Sequence, residues 1–284
     1  MTERIALRAP AKINLLLTVG GRRDDGLHEL VSVMQQVSLA DTLEIAPADA
    51  LTLDVVPEGA APEDGTNLVA RAAIALRTAH AVQAGAELTL TKAIPVGAGL
   101  GGGSADAAAT LLGLKRVWDL PVSRKALEKL GASLGSDVPF CVRGGTATVT
   151  GTGSNVISLT VRTPLWWVLG ISDTRLSTAD VYAGFDRLGG GEVGEAHDVA
   201  DALARGDLER LAAALRNDLE PAAFSLLPGL ERGRTALTDA GAVGAVLSGS
   251  GPTWLGLARD ERHATEIADR VAGSFSRTAV AVSL

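Results

Sequence analysis

The chain reads as an α+β protein of two domains. Its first half mixes strand-length apolar runs with helical stretches, and the pattern changes after Gly151-Thr-Gly153. Its 284 residues also suffice for two modest cores. In order, residues 13–19 form an apolar run of strand length, residues 42–46 and 51–56 follow as strands, and residues 87–91 alternate with period two. Between them Asn67 is placed to cap a helix that shares Leu68, Ala72, Ala75, Leu76 and Ala79 on one face. The glycine-rich residues 95–103 run into Ser104-Ala-Asp-Ala-Ala-Ala-Thr-Leu-Leu, where Ser104 is expected to cap an alanine-rich helix. A further helix is expected from Ser123, with Leu127, Leu130 and Leu134 inward, ending before Gly135. The second half is expected to hold a strand at 166–171, a polar glycine-rich stretch at 189–194 and helices across 199–219. A helix near 230–240, strands near 242–247 and 253–258, a helix at 261–272 and a last strand at 278–284 complete it. The boundary falls near residues 158–163, giving domains 1–160 and 161–284.

Composition narrows the function. With 46% hydrophobic and 21% charged residues, the chain is of ordinary globular make-up. A formal net charge of -7 argues against broad phosphate-driven binding of nucleic acid, so an anionic small molecule needs a local positive site. The single Cys141 cannot form an internal disulfide, and no basic segment followed by an apolar one opens the chain, so a cytoplasmic location is expected. No apolar stretch approaches the roughly 20 residues needed to span a bilayer, because residues 164–171 are soon followed by Asp173 and Arg175. Only five of the 26 basic residues are lysines. Where Arg is the default cation, a retained Lys such as Lys12 or Lys92 can mark a place that wants a compact ammonium, although Lys115, Lys125 and Lys129 read as solvated helix faces.

The strongest local signal is Pro95-Val-Gly97-Ala-Gly99-Leu-Gly101-Gly102-Gly103-Ser104, with five glycines in residues 97–103. Glycines let the backbone approach phosphate oxygens and turn successive N–H groups toward them, and a helix N-terminus adds partial positive charge. The alternative is a flexible connector, which so many glycines directly before a good helix disfavour. Gly97, Gly99 and Gly102 satisfy G-x-G-x-x-G, but no acidic residue sits at a strand end about 20 residues later, as a dinucleotide fold needs. Against the Walker pattern, Gly103 stands in the lysine position. Asp137, between Gly135 and Pro139, is expected in a loop, where it could point into a cleft or simply bond its own backbone. Lys12, ahead of an apolar run, could likewise be a solvated strand-end charge.

Taken together these segments resemble a known family. Pro10-Ala-Lys12-Ile-Asn14-Leu, Asp25-Gly-Leu-His28-Glu-Leu, the Gly97 to Ser104 loop, Ser136-Asp137-Val-Pro139 and Leu247-Ser-Gly249-Ser-Gly251-Pro occur in the order seen in the GHMP kinases. Asn217-Asp218-Leu-Glu220 resembles that family's C-terminal domain. The resemblance implies an N-terminal ribosomal protein S5 domain 2-like domain and a C-terminal ferredoxin-like domain. It also implies ATP with Mg²⁺, and Asp137 as general base toward a substrate hydroxyl with Lys12 beside it. Pro95, Gly97, Gly99, Gly101, Gly102, Gly103 and Ser104 then hold the phosphates, and Asn67, Leu68 and Lys92 line the adenine side. Asn14, His28, Thr178 and Tyr182 meet a cytidine diphosphate-linked sugar alcohol. No metal ligand is assigned beyond a candidate hydroxyl at Ser104, and a monomer or weak homodimer is expected. Leu27 departs from the family's usual Tyr, and Ser154 from its usual Glu after Gly-x-Gly. Rival readings are a homoserine- or mevalonate-type kinase of the same family, and a catalytically silent nucleotide-binding protein on this fold. The Asp25-Gly-Leu-His28 motif argues against the first, and the retained Lys12 and Asp137 against the second.

Overall fold

A computed structural model describes residues 4–284. The chain begins β1 (Ile5–Arg22), β2 (His28–Ala48), β3 (Leu51–Val56), α1 (Leu68–Ala79), β4 (Gly85–Thr91), α2 (Gly102–Val117), α3 (Arg124–Ala132), α4 (Val138–Arg143), β5 (Thr146–Gly151) and β6 (Asn155–Ser158). It continues β7 (Trp166–Ile171), α5 (Thr178–Arg187), α6 (His197–Arg205), α7 (Leu208–Ala214), β8 (Arg216–Asn217), α8 (Glu220–Leu226), α9 (Arg232–Asp239), β9 (Gly244–Leu247), β10 (Trp254–Ala258), α10 (Glu261–Arg270) and β11 (Arg277–Val282). Two compact units result, each discontinuous in sequence: residues 4–12, 39–96 and 101–144 form the first, and residues 13–38, 97–100 and 145–284 the second.

In the first unit the end of β2 pairs antiparallel with β4, and β3 pairs parallel with β4. The period-two pattern of residues 87–91 therefore marks a real strand, whose Leu88 and Leu90 are fully buried. Helices α1 and α2 pack together, as do α2 with α4 and α3 with α4. Asn67 does cap α1, its Oδ1 accepting from Val69 N at 2.9 Å. The buried face is Val69, Ala72, Ala73 and Leu76, so the expected stripe through Leu68, Ala75 and Ala79 is about one position off. Ser123 caps α3, but it buries Leu127, Glu128 and Gly131 rather than the Leu127-Leu130-Leu134 line. Ser104 is not a cap: α2 begins two residues earlier, at Gly102, after Gly101 in the left-handed region.

In the second unit the start of β2 pairs antiparallel with β5, β5 with β6, and β1 pairs parallel with the two-residue β8 at Leu16–Arg216 and Leu17–Asn217. A separate four-stranded antiparallel sheet has the order β11-β7-β10-β9. With its strands numbered along the chain that is 4-1-3-2, and the connection from β10 to β11 is a helix, which is the ferredoxin-like arrangement expected for the C-terminal part. Trp167 and Trp254 are fully buried, their ring N–H groups donating to Gln35 Oε1 at 2.9 Å and Leu230 O at 2.8 Å. Among the described residues no helix is long and apolar enough to cross a membrane.

Candidate active site

Lys12 lies inside β1 rather than ahead of a strand, and its side chain is 7% exposed. A buried ammonium needs an opposite charge, and Lys12 Nζ stands 3.4 Å from Asp137 Oδ2. Asp137 occupies the cap position of α4, which starts at Val138 because Pro139 fits the first helical turn, where no N–H is required. Its carboxylate makes no capping bond, so the backbone-bonded turn that competes with a functional reading is not what this side chain does. It remains a quarter exposed. The thiol of neighbouring Cys141 is pushed well up by burial and then by the charge of Asp137, so it stays protonated.

Gly101 meets this pair. With φ at +66° it adopts a conformation costly for other residues, and a Cβ there would lie 2.7 Å from Lys12 Cγ. The next residue opens α2, so the loop ends on unsatisfied helical N–H groups. Ser104 sits close by, its Oγ 3.7 Å from where a Cβ on Gly135 would stand. Leu68 packs by Gly103, its Cδ1 3.4 Å from that residue's virtual Cβ, while Pro95 is half-buried before the loop. Asn67 is committed to local structure, donating to Pro62 O at 2.6 Å besides capping α1.

Lys92 is placed under Gly102, its Nζ 3.3 Å from the virtual Cβ of that glycine. It is bound by two buried carboxylates, Asp41 and Asp106, the latter at 2.7 Å. Asp41 Oδ1 also accepts from the N–H groups of Ala93, at 2.5 Å, and Ile94, at 2.8 Å, which ties β2 to the segment leading into the loop. Sequence reasoning missed both acids, since they lie 51 and 14 residues from Lys92. Burial first, then the Asp41 carboxylate, pushes the Asp106 carboxyl up to about 7 against the pull of Lys92, and among the described residues Asp106 Oδ1 has no hydrogen-bond partner. The folded protein thus binds a proton there that the unfolded chain releases near its usual value of 3.8, so this residue costs stability as pH rises between those values. Asp106→Asn removes that dependence while leaving Lys92 its bond to Asp41. The melting temperature of the variant relative to the parent is expected to rise by a few degrees between pH 5 and pH 8. Parallel melting curves across that range would contradict the assignment.

In the second unit, Gly97 and Gly99 also have positive φ, at +77° and +75°. Gly99 has no room for a side chain, because a Cβ would stand 2.6 Å from the carbonyl oxygens of both Ser248 and Gly251. Ser248 Oγ donates to Gly99 O at 3.1 Å. Arg175, which sequence reasoning passed over as a candidate, lays its stem beside Gly97, with Cγ and Cδ 3.4 Å from the virtual Cβ.

His28 is 8% exposed, and its Nε2 lies 2.7 Å from Asp186 Oδ1. The carboxylate accepts, which fixes a hydrogen on Nε2. Tyr182 lies against the same imidazole at 4.9 Å between ring centroids, tilted by 43°, and Phe185 approaches edge-on at 6.3 Å. Thr178 begins α5, with Oγ1 2.9 Å from Ser250 Oγ. Asn14 is 2% exposed and donates to Ser32 Oγ at 2.9 Å across β1 and β2. Leu27 is 54% exposed.

Comparison with known proteins agrees with this geometry. The GHMP kinase N-terminal domain model matches residues 67–145, and the GHMP kinase C-terminal model matches residues 199–277. A 4-diphosphocytidyl-2-C-methyl-D-erythritol kinase of Rhodococcus jostii strain RHA1 is 44% identical over 276 residues, covering 95% of this chain and 89% of that one. One of Nocardia farcinica strain IFM 10152 is 45% identical over 278 residues, covering 95% and 90%. The crystal structure of a 4-(cytidine 5'-diphospho)-2C-methyl-D-erythritol kinase superposes with a TM-score of 0.83 at 35% identity, over 98% of this chain and 99% of that one. Matches to both GHMP kinase domain models and identities of 44% and 45% over 95% of the chain lead to one conclusion: the chain belongs to the GHMP kinases and, within them, to the 4-diphosphocytidyl-2-C-methyl-D-erythritol kinase family.

Proposed function

We propose that this chain transfers the γ-phosphoryl group of ATP to the 2-hydroxyl of 4-diphosphocytidyl-2-C-methyl-D-erythritol in the cytoplasm, as a step of non-mevalonate isoprenoid synthesis. Residues 1–160 and 161–284 serve as its N- and C-terminal family domains, and the two family matches fall on either side of that boundary. The observation that carries the reading is the buried Lys12 ammonium held 3.4 Å from Asp137 beside Gly101. Phosphoryl transfer asks little covalent chemistry of a protein, and depends on alignment and on charge placed where the transition state needs it. Asp137 accepts the proton of the attacking hydroxyl at its carboxylate. Lys12 keeps that carboxylate oriented and offsets the negative charge that develops nearby.

The loop fits a triphosphate. Gly99 and Gly101 bring the loop backbone against the Ser248 and Gly251 carbonyls and the Lys12 stem with no side chain between, and α2 presents its N-terminal N–H groups at the end of the loop. Lys92 supports the start of α2 from beneath, and Leu68 offers an apolar contact at Gly103 for the adenine side. Bound with the nucleotide, Mg²⁺ would supply charge neutralisation on the phosphates, with the Ser104 hydroxyl as the candidate protein group near it. Among the described residues no group of three or more His, Cys, Asp or Glu is placed to hold a metal ion.

The cytosine is assigned to His28 and Tyr182. An aromatic platform contributes about 1–3 kcal/mol to holding a base, and Leu27 offers an apolar contact alone. Tyr182→Ala is expected to raise KM for the cytidine substrate about tenfold with little effect on KM for ATP, and Leu27→Tyr to lower the former. Steady-state kinetics at saturating ATP decides this. An unchanged cytidine-substrate KM in a stable Tyr182→Ala protein would remove Tyr182 from the site.

A further inference from the structure

The Asn217-Asp218-Leu-Glu220 segment has no part in the chemistry above, yet all three of its polar side chains are engaged. Asn217 is 5% exposed at the end of β8, where pairing with β1 fixes its backbone. Its Nδ2 donates to Leu247 O at 2.8 Å and Gly249 O at 2.6 Å, and its Oδ1 accepts from Leu219 N at 2.9 Å. Glu220 Oε1 accepts from Leu247 N at 3.0 Å, with Arg234 on the other oxygen. Asp218 Oδ2 accepts from Val19 N at 3.2 Å, which anchors the segment to β1.

The turn gripped by Asn217 and Glu220 follows β9 and carries Ser248, Gly249, Ser250 and Gly251. It reaches two places. Ser248 Oγ and the carbonyls of Ser248 and Gly251 close around Gly99 of the glycine loop. Ser250 Oγ meets Thr178 Oγ1 at 2.9 Å at the start of α5, whose following turns carry Tyr182 and Asp186, the partner of His28.

We infer that Asn217 and Glu220 are positioning residues that set the turn at 248–251 as a clamp joining the glycine loop to the base-recognition helix α5. The inference rests on the reading that the loop holds ATP and α5 faces the cytidine. Two carbonyl oxygens within 2.8 Å of the Asn217 amide nitrogen demand a donor at that atom. A carboxylate of the same shape repels both of them and releases the turn.

Asn217→Asp is therefore expected to raise KM for ATP and KM for the cytidine substrate by about tenfold each, with kcat lowered less than about threefold. Ser248→Ala is expected to raise only KM for ATP, and Ser250→Ala only KM for the cytidine substrate, by about fivefold each. These two variants delete a single hydroxyl and keep the test decisive if Asn217→Asp does not fold. Unchanged values of both constants in a folded Asn217→Asp protein, or of the matching constant in either serine variant, would overturn the clamp. Failure of the parent protein to turn over the cytidine substrate would instead remove the functional reading beneath it.

Discussion

Asp137→Asn is expected to lower kcat by at least about a hundredfold while the protein stays folded. Asparagine has the same shape but cannot take a proton, and it leaves the Lys12 ammonium without its carboxylate 3.4 Å away. Because the Asp137 side chain makes no capping bond to α4, the substitution removes no support from that helix. Lys12→Met is expected to cause a loss of similar size. Methionine keeps an unbranched stem to lie over Gly101 but has no charge to offer, so the loss belongs to the ammonium. Both effects are expected in kcat, since in the proposed roles the pair acts on the transition state rather than on either bound substrate. Near-normal turnover in a folded Asp137→Asn protein would refute the assignment.

Gly101→Val should weaken ATP binding by about a hundredfold or more before it affects overall stability. Two costs coincide at this residue. A β-branched side chain tolerates φ of +66° poorly, and its Cβ stands 2.7 Å from Lys12 Cγ, so loop and lysine cannot both hold their places. Gly101 is half-buried and precedes the first residue of α2, so the substitution is expected to act on the loop and Lys12 ahead of the helix itself. Titration calorimetry with ATP reads the effect directly. Unchanged affinity would mean that residues 97–103 merely connect β4 to α2.

Much of this site was legible because its signals are local. Glycine density before an alanine-rich helix marked the loop, and Asn67 and Ser123 announced their helices through caps whose bonds run only two or three residues. The start of α2 was misplaced because a left-handed Gly101 leads into the helix without a side-chain cap, so Ser104 was mistaken for the boundary. Lys12 reads in sequence as a charge ahead of the apolar run at 13–19, although β1 begins at Ile5 and runs through it. Pro139 similarly hid α4, since a proline reads as a breaker but is tolerated in a first turn. Residues 199–219 read as helical throughout in sequence, yet α7 stops at Ala214 so that Arg216 and Asn217 can pair with β1. That pairing, the Asp41–Lys92–Asp106 cluster and the grip of Glu220 on Leu247 join distant stretches of chain. No periodicity or turn signal encodes such contacts.

The central claim is the identity of the phosphoryl acceptor. The most direct measurement couples ADP release to a spectroscopic readout, with Mg²⁺-ATP and a panel of 4-diphosphocytidyl-2-C-methyl-D-erythritol, homoserine and mevalonate. Release of ADP at rates well above the acceptor-free control is predicted with the cytidine compound alone. Turnover of homoserine or mevalonate with none of the cytidine compound would contradict it.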